Sequence, residues 1–341
     1  MKIFIFFILI SISKICFSKN LYYSNFYDIN FKSNDIKNTK EEIINNIKLN
    51  SFENLIESIL IEKEYKKIQK NISNDFVNSF LFSLNISEEK IINNKYSSKI
   101  QISYDYEKLI KFFIDNNYNF IVYKPEKFLI IIFDQNLSYE KLLSKDNLFY
   151  EYLNNNIDHH SEFVLPKLDF NDRYLITKKD FLEKKLNNHN QVISKYNSDN
   201  ILLIHYKNNS DENYILSYSI EDEIFNLIDK YDFSNKDYKK FFNHIEKVIT
   251  NEWKQNNLVI SSTINKINCE INALNLKELK KIKELIYKNL IIKNVETAKI
   301  SLKKSIYDIT YYGKQNILVK SFNQNKINIS FNNDVCKIKL I

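Results

Sequence analysis

The pattern of apolar and polar residues is most distinctive at Phe128–Phe133. Six apolar residues follow one another there without interruption, and Asp134 ends the run. An uninterrupted run of this length, rich in β-branched and aromatic residues, predicts a strand that is buried on both faces. Pro125 lies just upstream and disfavours a helix that would continue into the run. Because such a strand needs helices above and below its sheet, the run predicts an α/β unit around itself.

Strand-like and helix-like segments alternate after this run, which predicts parallel strands joined by right-handed crossovers. These segments are a helix from Ser138, a strand at Phe163–Pro166, a helix over Phe181–Tyr196 and a strand at Ile201–Ile204. Residues 214–228 then favour antiparallel strands, which makes the predicted sheet mixed, and Ser234 with Asp237 predicts the cap of a further helix.

The residues on either side of this middle unit predict two smaller units. Between Asn20 and Lys124 the order is β-α-β-β-α, with Thr39 as a predicted helix cap and Phe76–Ile86 as a predicted strand. From Leu258 onward the order β-α-β-β-α-β predicts a ferredoxin-like sheet. The predicted fold class is therefore α/β (α+β mixed) in three small units: an N-terminal α+β domain at 19–124, a middle α/β domain with a partly parallel sheet at 125–256, and a ferredoxin-like domain at 257–341.

Residues 1–18 have the pattern of a secretory signal peptide. Lys2 supplies a positive start, Ile3–Ile12 is almost entirely apolar, and Cys16-Phe17-Ser18 has small residues where a signal peptidase would cleave. The apolar run is short for a membrane span, although an uncleaved anchor stays an alternative. No later segment of the sequence is long and apolar enough to cross a bilayer. The sequence therefore predicts a periplasmic protein that is cleaved near Ser18 and has no transmembrane span in its mature chain.

Composition narrows the possible functions. Without Lys2 and Lys14 of the leader, 47 cationic residues face 42 acidic ones, and Lys and Glu alternate along the chain. A nucleic-acid binder would concentrate its cations and use arginine freely, so we predict no nucleic-acid partner. Gly313 is the only glycine, which excludes a Walker A loop, a GxGxxG dinucleotide turn and a GxSxG nucleophile elbow. We predict no catalytic residue, metal site or cofactor.

Polar residues at the carboxyl ends of the predicted parallel strands are candidate ligand-binding residues. Asp134, Asp169 and His205 each follow one of these strands, and parallel sheets bind ligands at that edge. The simpler explanation is that such residues commonly end strands and cap helices. Asp172 and Arg173 are further candidates, because Arg173 is the only arginine. It would either form a salt bridge to Asp169 or Asp172 or grip a ligand carboxylate.

Cys269 and Cys336 are the two cysteines beyond the leader, and both fall in the C-terminal unit. The first and last strands of a ferredoxin-like sheet are neighbours, which would bring the two residues close together. Export makes a disulfide between them possible. Two buried free thiols are the alternative, because the geometry of a disulfide is demanding.

Five segments follow one another in an order known from one protein family. They are Phe76–Phe80, Ile100–Phe113, Tyr123–Ile132, Leu165–Asp172 and Ile201–Ile204. Together they resemble an exported bacterial family called domain of unknown function 2066, in which an Arg-Pro pair commonly precedes the buried strand; this chain has Lys124-Pro125 instead. The middle unit is also similar, in topology alone, to the N-terminal domain of the Tol-system protein TolB. The resemblance implies export and this layout, and the family has no established activity.

The sequence thus favours a non-enzymatic interaction module that takes part in envelope assembly or maintenance by contacting unidentified envelope proteins. One alternative is a ligand-binding or hydrolytic protein that uses the crevice at the strand ends of the middle domain. Another is a protein that binds anionic envelope polymers through its lysines.

Overall fold

The computed structural model describes residues 21–123, 127–134, 137–157, 163–183, 186–198, 200–206, 214–219, 224–230, 236–300, 305–332 and 335–341. The predicted signal peptide and the Lys124-Pro125 pair lie outside these residues. The chain divides into two compact units: unit 1 takes Met1–Val122 with Asn257–Ile341, and unit 2 takes Tyr123–Asn256. Both units contain helices and strands, which confirms the mixed α/β class.

The secondary-structure elements are numbered in chain order. The helices are α1 (Ile36–Ile59), α2 (Glu62–Gln69), α3 (Asn74–Phe80), α4 (Tyr106–Asp115), α5 (Tyr139–Leu142), α6 (Leu148–Asn156), α7 (Phe170–Leu175), α8 (Lys178–Glu183), α9 (His189–Tyr196), α10 (Tyr238–Asn256), α11 (Leu276–Tyr287) and α12 (Gln315–Gln324). The strands are β1 (Leu21–Tyr23), β2 (Tyr27–Lys32), β3 (Leu81–Ile92), β4 (Lys95–Asp105), β5 (Phe128–Asp134), β6 (Phe163–Val164), β7 (Asn200–Tyr206), β8 (Tyr214–Ser219), β9 (Ile224–Lys230), β10 (Ile264–Ile271), β11 (Ile292–Ile300), β12 (Ser305–Tyr312), β13 (Ile327–Asn332) and β14 (Val335–Leu340).

The N-terminal part of unit 1 is an antiparallel sheet built around β4. The strands β1 and β2 pair with one edge of β4, and β3 pairs with the other edge. The helix α1 packs on this sheet through its apolar side chains, and Phe52, Leu55 and Ile56 are completely buried. The ring of Phe52 stacks on Phe80 and also contacts Tyr104 of β4, with centroids 5.6 and 5.3 Å apart.

The helix α1 begins earlier than the sequence predicts. Its cap is Asp35, whose Oδ1 accepts the N–H of Asn38 at 3.1 Å. Thr39, the predicted cap, lies inside the first turn and donates its hydroxyl to the carbonyl of Asp35 at 2.8 Å. An aspartate at the N-cap satisfies an N–H that the helix itself leaves unpaired, and here it does so four residues before the predicted start.

A second difference concerns residues 76–80, which are predicted as the start of a strand and lie in the helix α3 (Asn74–Phe80). Ser73 caps this helix by accepting the N–H of Phe76 at 3.2 Å. Phe76 and Phe80 are four residues apart, and residues at that spacing share one face both in a strand and in a helix. The apolar pattern therefore fitted both structures, and the serine cap distinguishes them.

The C-terminal part of unit 1 is a five-stranded sheet in the order β11-β12-β10-β14-β13. Its first elements follow the ferredoxin-like order, with β12 lying antiparallel between β10 and β11. The end of the sheet departs from that fold. The last strand, β14, lies beside β10 and runs parallel to it, whereas β13 forms the edge.

Backbone hydrogen bonds join the two parts of unit 1. Phe120 and Val259 exchange N–H to O bonds of 3.2 and 2.7 Å, and Asn119 Oδ1 accepts the N–H of Ser261 at 3.3 Å. The sequence predicts separate domains at 19–124 and 257–341, whereas Met1–Val122 and Asn257–Ile341 belong to one compact unit. Local periodicity cannot reveal a bridge between two residues so far apart in the chain.

Unit 2 is organised around β5, as the sequence predicts. Its sheet has the order β6-β5-β7-β8-β9, in which β5 runs parallel to β6 and β7 while β8 and β9 are antiparallel. All six residues Phe128–Phe133 are buried. They share one core with helix side chains from both α6 and α10, among them Leu153, Phe241 and Ile245.

The strand β6 is shorter than predicted and pairs only with Phe128 and Leu129 of β5. Further along this edge, Tyr150 of α6 takes the place of a strand partner. Its hydroxyl accepts the N–H of Ile132 at 2.9 Å. Without this bond the N–H would be buried and unsatisfied.

The single helix predicted over Phe181–Tyr196 is divided into α8 and α9 in the structure. The cause is Asp180, a buried aspartate whose Oδ1 accepts both the backbone N–H and the side-chain amide of Asn187 at 2.7 Å. Its Oδ2 accepts the N–H and the hydroxyl of Thr177 at 2.6 Å. These four bonds fix the start of α8 and the turn before α9.

Cys269 and Cys336 are register partners on β10 and β14, and a disulfide joins them across a Cα–Cα distance of 4.5 Å. Both residues are fully buried. Of the two alternatives that the sequence left open, the structure has the disulfide.

We predict that a chain without residues 1–18, unfolded in guanidinium without reductant, takes up no alkylating label at Cys269 or Cys336, and that both become labelled after reduction. The denaturant is essential, because burial would also protect free thiols in the folded protein. Replacement of both cysteines by serine should lower the free energy of unfolding by about 4 kcal/mol in the chain-entropy model. Full labelling without reductant, measured by mass spectrometry, would refute the bridge.

Candidate functional site

Of the three residues predicted at the strand ends, Asp134 and His205 lie on paired strands, whereas Asp169 lies at the start of a helix. Asp134 ends β5 and is half-buried, and His205 of β7 pairs with the residue before it, Phe133. Asp134 and His205 therefore lie at the same edge of the sheet, although the side chain of His205 is outside the described residues. Within the part of the chain that the structure describes, no group of three His, Cys, Asp or Glu side chains is arranged to hold a metal ion.

Asp169 has a separate role as the N-cap of α7. Its Oδ1 accepts a hydrogen bond of 2.9 Å from the N–H of Asp172 and one of 2.6 Å from the ammonium of Lys195 on α9. Both bonds favour the charged carboxylate, so the pKa of Asp169 lies below its ordinary value, with Lys195 as the main cause. Of the two explanations that the sequence offered for Asp169, helix capping is the one this geometry fits.

Asp172 is completely buried and accepts three hydrogen bonds. Its Oδ1 accepts the ammonium of Lys195 at 2.7 Å and the hydroxyl of Tyr196 at 2.6 Å, and its Oδ2 accepts the N–H of Leu168 at 2.7 Å. Leu168 has a φ of 59°, a conformation that is unfavourable for a branched side chain. The bond from Leu168 to Asp172 helps to hold this conformation just before α7 begins.

Lys195 and Tyr196 complete this cluster, and neither is among the site residues predicted from the sequence. The hydroxyl of Tyr196 also accepts the N–H of Lys167 at 2.8 Å. Burial, and then the bond to Asp172, raise the pKa of Tyr196. Burial alone would lower the pKa of Lys195, but its bonds to Asp169 and Asp172 outweigh this effect and raise it. A lysine and a tyrosine at the end of a predicted helix carry no local signal that points to an aspartate in another helix.

Lys195 contacts both Asp169 and Asp172, in ion pairs of 2.6 and 2.7 Å. For Arg173 the sequence left two roles open, a salt bridge to Asp169 or Asp172 and the binding of a ligand carboxylate. Arg173 lies exposed on α7, and both roles stay predictions.

An open groove of about 460 Å³ lies between α7 and α9. It is lined by Asn171, Tyr174, Leu175, Asn190, Gln191, Ser194 and Lys195. Lys195 is held by two carboxylates. The other polar side chains that line the groove are neutral amides and hydroxyls. On α7, Phe170 and Tyr174 lie one turn apart and expose 82% and 71% of their surface. This lining and the two rings suit a neutral polar ligand or a segment of a partner protein.

The fold and this site define unit 2 as a mixed α/β unit with a small open groove between two helices. No family model, no curated protein and no solved structure matches the chain. The resemblance to domain of unknown function 2066 therefore stays a prediction. Among the described residues, none of the helices has both the length and the apolar character that a bilayer crossing requires.

We predict that Asp172→Asn lowers the free energy of unfolding of unit 2 by about 3 kcal/mol. The substitution removes one of the two carboxylates that bind the largely buried ammonium of Lys195. It also places an amide group among the donors of Leu168, Lys195 and Tyr196. Trp253 is the only tryptophan and lies in unit 2, so its fluorescence during guanidinium unfolding reports on this unit.

Asp169→Asn is the matched control for this experiment. It makes the same chemical change at a carboxylate whose side chain is 42% exposed, and asparagine is an equally good N-cap. The expected loss is therefore below about 1 kcal/mol. Equal losses in the two variants would show that the buried cluster around Asp172 has no special role in stability.

Proposed function

We propose that this protein is exported to the periplasm and acts there as a non-enzymatic protein-interaction module in envelope assembly or maintenance, with α7 as a contact surface. The partner is an envelope protein. The proposal requires no cofactor and no nucleic acid.

Two features support export. Residues 1–18 combine a positive start, an apolar run and a small-residue cleavage pattern. The disulfide between Cys269 and Cys336 belongs to a type of bond that forms and persists in oxidising compartments such as the periplasm.

The exposed aromatic pair on α7 is the main observation in support of a contact surface there. Phe170 and Tyr174 lie on one side of a short helix and expose most of their surface. Aromatic residues are enriched among the residues that dominate binding energy at protein interfaces.

The cluster beneath α7 would favour binding by holding the helix rigid. Lys195 bonds to the cap residue Asp169 and to the buried Asp172, which ties α7 to α9. A contact surface that is already ordered before binding loses less conformational entropy when the partner arrives.

The groove favours a second candidate, a receptor for a small polar ligand. Asn171, Asn190, Gln191 and Ser194 offer amide and hydroxyl groups beside Tyr174, a combination of polar groups and an aromatic surface that is typical of ligand pockets. A hydrolytic protein is a weaker alternative, because the carboxylate of Asp169 already binds Lys195 and a helix N–H.

We predict that affinity capture of the tagged full chain from crosslinked cells recovers a reproducible envelope protein. The double variant Phe170→Ser with Tyr174→Ser should reduce its recovery roughly tenfold, because two exposed aromatic anchors are lost. Quantitative mass spectrometry measures the recovery, and the mass of the captured chain shows whether residues 1–18 have been removed.

The matched control is Leu274→Ser with Leu276→Ser, which removes two equally exposed apolar side chains from unit 1. It should leave recovery of that partner unchanged. A chain that is recovered alone, or a partner lost equally from both double variants, would contradict a specific contact at α7. A chain that keeps residues 1–18 and remains in the cytoplasm would contradict export.

A further inference from the structure

The two most exposed large apolar side chains among the described residues are Leu274 and Leu276, which expose 93% and 84% of their surface. Both lie in the C-terminal part of unit 1, where the chain passes from β10 into α11. Ile300, the last residue of β11, is also exposed, at 68%. Contact of such exposed apolar groups with water is unfavourable, and covering them lowers the free energy.

The strand register brings these three residues to one end of the sheet. Ile271, the last residue of β10, pairs with Ser305 of β12, and Ser305 pairs in turn with Ile300 of β11. Leu274 and Leu276 lie only a few residues beyond Ile271 in the chain. Since neighbouring strands are about 4.8 Å apart, the ends of β10 and β11 are separated by only roughly 10 Å across the sheet.

The cap of α11 fixes the backbone beside the two exposed leucines. Asn275 Oδ1 accepts the N–H of Glu278 at 2.9 Å, and Glu278 Oε2 accepts the N–H of Leu274 at 2.6 Å. In capped helices an apolar residue at the position of Leu274 often packs against the one at the position of Leu279. Leu274 remains almost fully exposed instead, although its backbone is held by the cap.

Exposed lysines surround the same end of the sheet. Lys277 follows Leu276 and Lys299 precedes Ile300, while Lys339 lies one residue beyond Ile338, the register partner of Ile271. A fourth, Lys326, immediately precedes β13. Within the described residues, none of these four ammonium groups takes part in an ion pair. Glu278 is the acidic residue in the first turn of α11, and its carboxylate is already bonded to the N–H of Leu274.

We infer that this leucine–lysine end of the sheet (Leu274, Leu276, Ile300, Lys277, Lys299, Lys326 and Lys339) docks onto an anionic phospholipid surface. The apolar side chains enter the interface between headgroups and acyl chains, and the lysines contact the anionic headgroups. The charge of the lysines selects an anionic surface over a neutral one. The apolar side chains distinguish this site from a purely electrostatic one, because reversible membrane attachment generally needs both contributions.

The test is co-sedimentation of the purified mature chain with vesicles of phosphatidylglycerol and, in parallel, of phosphatidylcholine. We predict binding to phosphatidylglycerol that weakens as salt is raised, and much weaker binding to phosphatidylcholine. Leu274→Ser with Leu276→Ser should reduce the affinity for phosphatidylglycerol by at least about tenfold, because both side chains would otherwise leave water on docking.

The matched control is Phe170→Ser with Tyr174→Ser, which removes a comparable exposed apolar area from unit 2 and should bind vesicles like the unmodified chain. All four side chains are exposed, so the fold should persist, and circular dichroism checks this. This control also separates the present inference from the proposed contact at α7, since each double variant should impair only one of the two activities.

Insertion of the leucines has a direct spectroscopic readout. Leu276→Trp should shift its emission to shorter wavelength when phosphatidylglycerol vesicles are added, after subtraction of the Trp253 signal of the unmodified chain. The absence of binding to phosphatidylglycerol would overturn the inference. Binding that survives the double leucine variant, or a tryptophan at position 276 that stays in water, would do so as well, because the lysines alone would then explain attachment.

Discussion

The backbone of β5 imposes the constraint on which unit 2 depends. A strand buried on both faces has no access to water, so its N–H groups need partners within the protein. The strand β7 pairs along one edge, whereas β6 covers only Phe128 and Leu129 on the other. The hydroxyl of Tyr150 accepts the N–H of Ile132 beyond the end of β6. The position of α6 is therefore tied to the strand by a hydrogen bond as well as by apolar packing.

The sequence predicted those parts of the molecule that local pattern determines. The run Phe128–Phe133 could hardly be anything but a buried strand, and the mixed sheet followed from the segments after it. The cluster at α7 was predicted only in part. Asp169 and Asp172 were noticed, but their partner Lys195 lies more than twenty residues away, beyond a helix break fixed by Asp180. No local period encodes which lysine meets a buried aspartate; only tertiary packing determines it.

The pairing of the two cysteines could be predicted although the predicted sheet differs from the observed one. The pairing of Cys269 with Cys336 requires only that the first and last strands of the sheet be neighbours. In the structure β14 runs antiparallel to the additional edge strand β13 and therefore pairs with β10 in parallel. The two strands are adjacent all the same, and the cysteines lie opposite each other.

The two surfaces proposed for binding are built on the same physical principle. Asp169 and Asn275 cap α7 and α11, and in each case the first residue inside the helix, Phe170 or Leu276, is a strongly exposed apolar side chain. A side-chain cap satisfies N–H groups of the first turn and so fixes the backbone there. A backbone that is already fixed loses little further conformational entropy on binding. An apolar residue beside a cap is therefore well suited to contact a partner. At α7 the buried Asp172 strengthens this effect, and its carboxylate, which already accepts three hydrogen bonds, serves to hold the helix and is poorly suited to act as a base.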